Sequence, residues 1–294
     1  GGETGAHCQA GFCTAYGPRP ANDDAHLCRV QWSQIEGSAA SLFAVCDGHG
    51  GCAVSELLPS LLETELGNLA NARSPEERHS VVEAAFAAVD EHLRERLSGA
   101  GDRCGSTCIT AVVWPKNGGF RVLLANLGDS KALLYRDRGS FEHLVETCDH
   151  KPDVPFEKKR IRAAGGYVLP RDDENPARLD AVLAMSRAFG NFRFKDSSLE
   201  PGARKVSAIP DICEFDAAPG DVLVLASDGV LDVVSSPQVA ALAVRGVQGN
   251  SDGGGGGAAV EAAADVVWAA LQLDTKDNVT SSVIRLGAGE APGD

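Results

Sequence analysis

The apolar residues Leu42 to Cys46 run directly into Asp47-Gly48-His49-Gly50-Gly51. A run of that length reads as a fully buried strand. A carboxylate, an imidazole and three glycines at its end are costly there unless they do chemistry. The pattern recurs along the chain. "VLVLASD" ends on Asp228, "VLLANLGD" turns at Asp129, and Asp277 immediately precedes "NVTSSVIRL". Nearer the start, "RPANDDAH" places Asp23 and Asp24 just before another strand-like run. Taken singly, each aspartate is explained as a turn or cap residue. Together, carboxylates converging where several core strands end would repel one another strongly in a partly buried site. Either their pKa values rise or cations sit between them. Oxygen-only ligands suit Mg²⁺ or Mn²⁺, whose octahedral shells are completed by water.

The elements that must position these residues are legible in outline. "GFCTAY", "AHLCRVQW" and "SLFAVC" read as strands, followed by two helices. For the second helix, Ser74 can cap, Pro75 takes the first helical position and Glu77 completes a capping box. Val82, Phe86, Val89, Leu93 and Leu97 then recur at helical spacing. "CGSTCITAVVWP", "GFRVLLANLG" and "SKALLYRD" form a meander with turns at Lys116-Asn117-Gly118-Gly119 and Gly128-Asp129-Ser130, which implies an antiparallel sheet. Residues 147–205 are polar and less regular, with a short helical piece in "FEKKRIRAAGG". "DVLVLASDG" and "NVTSSVIRL" are strands, and two helices flank "GNSDGGGGG", whose composition marks a surface loop. Strands, paired helices, strands, paired helices: that order suggests two sheets with helices packed outside.

Composition narrows the field further. The chain of 294 residues is 44% hydrophobic, enough for a sizeable core, and carries a formal net charge of -14. Such acidity argues against nucleic acid as a partner, because phosphate backbones are bound through excess Lys and Arg. No apolar run approaches the roughly 20 residues of a membrane helix. Nine cysteines, several inside apolar segments, favour reduced thiols and an intracellular location, cytoplasmic or nuclear. The only methionine is Met185, so a targeting segment before residue 1 is compatible with the sequence.

The segments "RPANDDAH", "VCDGHGG", "GSTCITAVV", "ANLGDSKALL", "CDHKP", "AMSRAFGN", "LASDGVLDVVS" and "KDNVT" carry a resemblance. In order and approximate spacing, from Tyr16 to Leu286, they resemble the metal-dependent type-2C serine/threonine protein phosphatases. That resemblance implies one catalytic domain over residues 1–294. It also implies an α+β fold, a four-layer α-β-β-α sandwich of two mostly antiparallel sheets flanked by helix pairs. Asp47 resembles the carboxylate that bridges two Mg²⁺ or Mn²⁺ ions, Gly48 the carbonyl ligand, and Asp228 and Asp277 the remaining direct ligands. Asp129 matches a ligand of a third, weaker ion seen in some members. Asp23 and Asp24 match the acidic pair that organises water, Arg19 the arginine that grips the substrate phosphate, and His49 the proposed general acid. Phosphoserine and phosphothreonine proteins are the implied substrates, and a monomer suffices for the core.

Four positions depart from the family pattern: Lys131 for Arg, Asp23 for Glu, Asn191 for Asp, and Asp180-Ala181 for an Asn-Gly pair. The last two put substrate-side and outer contacts in doubt. Cys13 and Arg19 stand in the C-x5-R relation of cysteine-based phosphatases, but "TAYGP" holds one Gly and a Pro without an N–H, which a phosphate loop does not tolerate. Two other readings compete with a protein phosphatase. One is a pseudophosphatase that binds phosphoproteins without turnover, and the presence of Asp47, Asp228, Asp277 and Arg19 argues against it. The other is a hydrolase of small phosphate esters, whose site should be enclosed.

Overall fold

The computed structural model describes residues 1–5, 7–97, 99–137, 141–172, 175–249 and 257–287. Most of the glycine-rich stretch expected as a surface loop lies outside the described residues. Five strands come first: β1 (Gly2–Gly5), β2 (Cys8–Ala15), β3 (Ala25–Ile35), β4 (Ser38–Cys46) and the short β5 (Gly48–His49). Helices α1 (Leu58–Glu65) and α2 (Pro75–Arg96) follow, then β6 (Gly105–Ser106), β7 (Cys108–Lys116), β8 (Gly119–Leu127), β9 (Lys131–Asp137) and β10 (Phe141–Glu146). The irregular part holds α3 (Pro155–Ala163) and three short strands, β11 (Val168–Leu169), β12 (Arg178–Leu179) and β13 (Phe189–Gly190). The chain continues through β14 (Asp211–Ala217), β15 (Val222–Ala226), α4 (Asp228–Leu231), α5 (Ser236–Gly249), α6 (Gly257–Gln272) and β16 (Val279–Leu286).

Two antiparallel sheets carry the fold, with strand orders β14-β8-β7-β4-β3 and β1-β2-β16-β15-β9-β10. Along β4, Leu42, Ala44 and Cys46 face α1 and α2, whereas Phe43 and Val45 face the other sheet. β15 alternates likewise, Val222, Val224 and Ala226 toward α5 and α6, Leu223 and Leu225 inward. Burial on both faces is why these strands read as unbroken apolar runs rather than alternating ones. The result is the expected four layers, helices outside and two sheets between. A satellite cluster of Ile161, Leu179, Leu183, Ala188, Phe194 and Val206 packs the irregular segment.

Two local expectations need correction. Ser74 caps α2 by accepting from Glu77 N (3.2 Å), but the Glu77 carboxylate reaches back to Arg73 N (2.7 Å), one residue further than a capping box. The meander also breaks. Asn117 and Gly118, both at positive φ, make the tight hairpin between β7 and β8. At Gly128 (φ 111°) the chain instead leaves the first sheet for the second, because β9 pairs with β15 and β10. A Cβ there would lie 2.7 Å from the Thr107 side chain. That crossing sets Asp129 between the ends of both sheets.

Candidate active site

Strand register brings the predicted carboxylates together. Ala25 pairs with Cys46, so Asp24 sits beside Asp47. Cys108 pairs with Leu127, which brings Thr107 level with Gly128. In the second sheet Ala226 lies between Lys131 and Ser281, placing Ser227 and Asp228 beside Ser130 and close to Asp277. Thr107 stitches the sheets at this edge: its N–H donates to Asp47 O (2.9 Å), its Oγ1 accepts from Asp47 N (3.3 Å) and bonds Ser130 Oγ (2.7 Å).

The electrostatics follow from this crowding. Burial, then the carboxylates of Asp228, Asp24 and Asp129, push the Asp47 carboxyl well above its ordinary range. Burial and Asp129 raise Asp228 to about 8, and Asp228 and Asp47 are hydrogen-bonded to each other. Burial raises Asp24 to about 6 even though Thr280 Oγ1 donates to its Oδ2 (2.6 Å). Oδ1 of Asp24 and of Asp129 are buried without partners. Leaving such atoms unmet costs about 1–3 kcal/mol each.

The predicted ligands are near one another but do not form a closed cage. Among the described residues, no three His, Cys, Asp or Glu side chains are gathered as a ready metal cluster. Two of them lean on the chain's own cations instead. Asp277 receives Arg19 Nη2 (2.7 Å), while Arg19 Nε donates to Lys276 O (2.8 Å) at the half-exposed rim. Asp129 receives the Lys151 ammonium, which burial would discharge but Asp129 keeps protonated. The donor set still suits a hard divalent cation: oxygen only, desolvated, net negative, with unmet acceptors. Gly48 has no room for a side chain, since a Cβ would lie 2.1 Å from Asp23 O. Asp23 is held by Asn278 Oδ1 at its N–H (2.9 Å), and its carboxylate accepts from Gly51 N (3.2 Å).

His49 lies beside this cluster through the small sheet β13-β6-β5, in which it pairs with Gly105. Its Nε2 contacts Asn191 Oδ1 (2.7 Å), its Nδ1 has no partner, and burial lowers its pKa.

Other participants escaped the sequence reading. Asp232 and Asp149 belong to the acidic cluster, and burial raises both. Asp232 stands one helical turn after Asp228, a spacing that could have revealed it. Asn278 organises the "RPANDD" loop by donating to Tyr16 O (2.9 Å) and Ala21 O (2.8 Å). Cys13 is placed away from any phosphate loop: it pairs with Ser281 inside the second sheet, and burial raises its thiol pKa. Of the departures, Lys131 pairs with Glu146 (3.1 Å) and Asp149 (3.3 Å). Asp180 and Ala181 both hold positive φ, and Asp180 accepts from Tyr167 N (2.8 Å) and pairs with Lys205 (2.8 Å). No described helix is long and apolar enough to cross a membrane.

Comparison with known proteins identifies the family and the fold. The family model for protein phosphatase 2C matches residues 9–279. A probable protein phosphatase 2C (number 45) of Oryza sativa subsp. japonica is 30% identical over 280 residues, covering 95% of this chain and 88% of its own. A phosphatase from a pathogenic strain of Toxoplasma gondii superposes with a TM-score of 0.81 at 27% identity, over 99% of this chain and 96% of that one. The catalytic domain of the serine/threonine protein phosphatase PstP, in complex with 2 manganese ions, shares the fold at a TM-score of 0.56 and 21% identity, over 96% and 99% of the two chains.

Proposed function

The chain belongs to the protein phosphatase 2C family, and from that premise we propose that it hydrolyses phosphoserine and phosphothreonine in proteins, using two Mg²⁺ or Mn²⁺ ions. The supporting observation is the desolvated carboxyl cluster at the converging strand ends, in which burial and neighbouring carboxylates push Asp47 and Asp228 up where a cation would neutralise both. The candidates to hold the ions are Asp47, the Gly48 carbonyl, Asp228 and Asp277, with Asp129 for a third, weaker ion. Bound there, such ions supply Lewis acidity toward water and the phosphoryl group.

The remaining work falls to the chain. Arg19 has N–H groups left over from Lys276 and Asp277 with which to grip phosphate oxygens, in a fork that no Lys reproduces. Asp23 and Asp24, held by Asn278 and Thr280, orient the attacking water. As the bond from phosphorus to the serine or threonine oxygen breaks, that oxygen needs a proton, and we assign its donation to His49, an effect of roughly 10²–10⁴-fold. The chain's intact acids and Arg19 favour turnover over mere binding of phosphoproteins.

Phosphate release from a phosphothreonine peptide tests this, run with Mn²⁺, with Mg²⁺ and after EDTA. Release that needs the ion, stops with EDTA and survives a thiol-blocking reagent is the expected result. Metal binding without release would overturn it.

A further inference from the structure

Asn191 stands where the family usually has Asp, and its surroundings give that difference a consequence. The residue is fully buried, in the left-handed conformation (φ 51°, ψ 42°) that Asn tolerates. Its main chain is tied down from two sides. Asn191 N donates to Cys104 O (2.8 Å), and the preceding Gly190 N donates to the buried Asp90 Oδ1 (3.0 Å), which also receives Lys195 Nζ (2.7 Å). Gly190 and His49 both pair with Gly105 across the small sheet, so register alone sets Asn191 beside the imidazole. Gly105 is what permits the contact: a Cβ there would lie 2.1 Å from Asn191 Oδ1 and 2.6 Å from His49 Nε2.

The amide's orientation is fixed by its other end. Asn191 Nδ2 donates to Arg103 O (3.1 Å), a carbonyl that only an N–H can meet, so the amide oxygen faces the ring. An oxygen that can only accept requires His49 Nε2 to carry hydrogen. Nδ1 is then the nitrogen without a protein partner.

We propose that Asn191 is a positioning residue, whose carbonyl holds hydrogen on His49 Nε2 and so leaves Nδ1 to meet the leaving oxygen of the substrate. The proposal rests on the reading of His49 as proton donor. In the step it serves, the ring enters as imidazolium with hydrogen on both nitrogens; water bonds to phosphorus, the phosphorus–oxygen bond to the side chain breaks, and that oxygen takes the proton from Nδ1. The ring is left neutral with hydrogen on Nε2, the form Asn191 holds, and the proton lost by water restores it.

The test uses the full chain with Mg²⁺ and ¹⁵N-labelled histidine, reading the ring tautomer by NMR in wild type, Asn191→Ala and Asn191→Asp. The neutral wild-type His49 ring is expected as a single Nε2–H tautomer, Asn191→Ala a mixture of tautomers, and Asn191→Asp, which keeps an acceptor, the wild-type tautomer. In parallel, kcat on a phosphothreonine peptide should fall roughly tenfold in Asn191→Ala with little change for an aryl phosphate, whose leaving group needs no acid. A neutral wild-type ring whose single hydrogen sits on Nδ1 overturns the proposal without any variant. So does an unchanged tautomer and an unchanged alkyl-to-aryl ratio in Asn191→Ala. A shifted tautomer with equal slowing of both substrates sinks the proton-donor reading of His49 while upholding the hold of Asn191 on the ring.

Discussion

Two buried charged regions of this molecule use similar side chains to opposite effect. At the strand ends, Asp24, Asp47, Asp129 and Asp228 face chiefly one another; burial raises the pKa of Asp24, Asp47 and Asp228, and Asp129 meets Lys151. Beneath the irregular segment, Glu157 accepts from Arg187 Nε (3.0 Å) and Nη2 (2.8 Å), from Ser186 Oγ (2.6 Å) and from Arg160. Burial opposes ionisation there too, but those donors outweigh it and hold Glu157 down at about 2. The second region is electrically complete within the chain; the first is not. An incomplete buried cluster needs a partner from outside, which is what a cation site is, whereas a complete one is scaffold. His150 links the two: its Nδ1 accepts from Gly128 N (3.0 Å) and its Nε2 meets Asp211 (3.2 Å), itself paired with Arg187 (2.7 Å). The scaffold therefore helps fix the turn that presents Asp129.

The contrast breaks most visibly at Asp47. Asp47→Ala should reduce phosphate release by roughly 10³-fold or more, about 4 kcal/mol of transition-state stabilisation. The same variant should leave the metal-free protein folded and melting no lower than wild type, because a repelling carboxylate is gone. Retained turnover with Mn²⁺ would remove Asp47 from the site. In the complete region the effect moves to stability. Glu157→Ala strands two buried guanidinium groups and should cost about 3–5 kcal/mol in urea denaturation. A loss below 1 kcal/mol would show the network to be ornamental.

The acid side of the pH–stability curve sharpens the comparison further. The pKa of Glu157 falls from 4.5 unfolded to about 2 folded, so its stabilisation is present above pH 4.5 and is lost as pH drops toward 2. At ~1.4 kcal/mol per unit this amounts to about 3 kcal/mol. Glu157→Gln should flatten that acid limb, and an unchanged limb would place the acid sensitivity elsewhere. The smallest effect is expected at the turn that departs from the family. Ala181 sits at φ 61°, so Ala181→Gly should stabilise by no more than about 1 kcal/mol and leave kcat alone. A fall in kcat would tie this turn to the substrate.

What the sequence made legible was the strand ends. Asp47, Asp129, Asp228 and Asp277 each border an apolar run, and antiparallel pairing carries such borders to a common edge. The β8–β9 crossing was hidden because Gly128-Asp129-Ser130 has the composition of a hairpin turn, and only the second sheet's demand for β9 decides otherwise. Contacts between remote segments were equally silent. Nothing local in "FGN" says that Asn191 meets His49, or in "CDHKP" that Lys151 meets Asp129. Those depend on the short pairing of β13, β6 and β5 and on the His150 clamp, both set by packing rather than by propensity.

The measurement that tests the incomplete cluster most directly is calorimetric titration of Mn²⁺ into the wild type and into Asp47→Ala, in buffers of different ionisation enthalpy. With Asp228 at about 8 and the Asp47 carboxyl also raised, binding near pH 7 should displace protons from the pair. The account predicts binding with release of about one proton or more in wild type, and weaker binding without that release in Asp47→Ala. Equal affinity and equal proton release in the two proteins would contradict it.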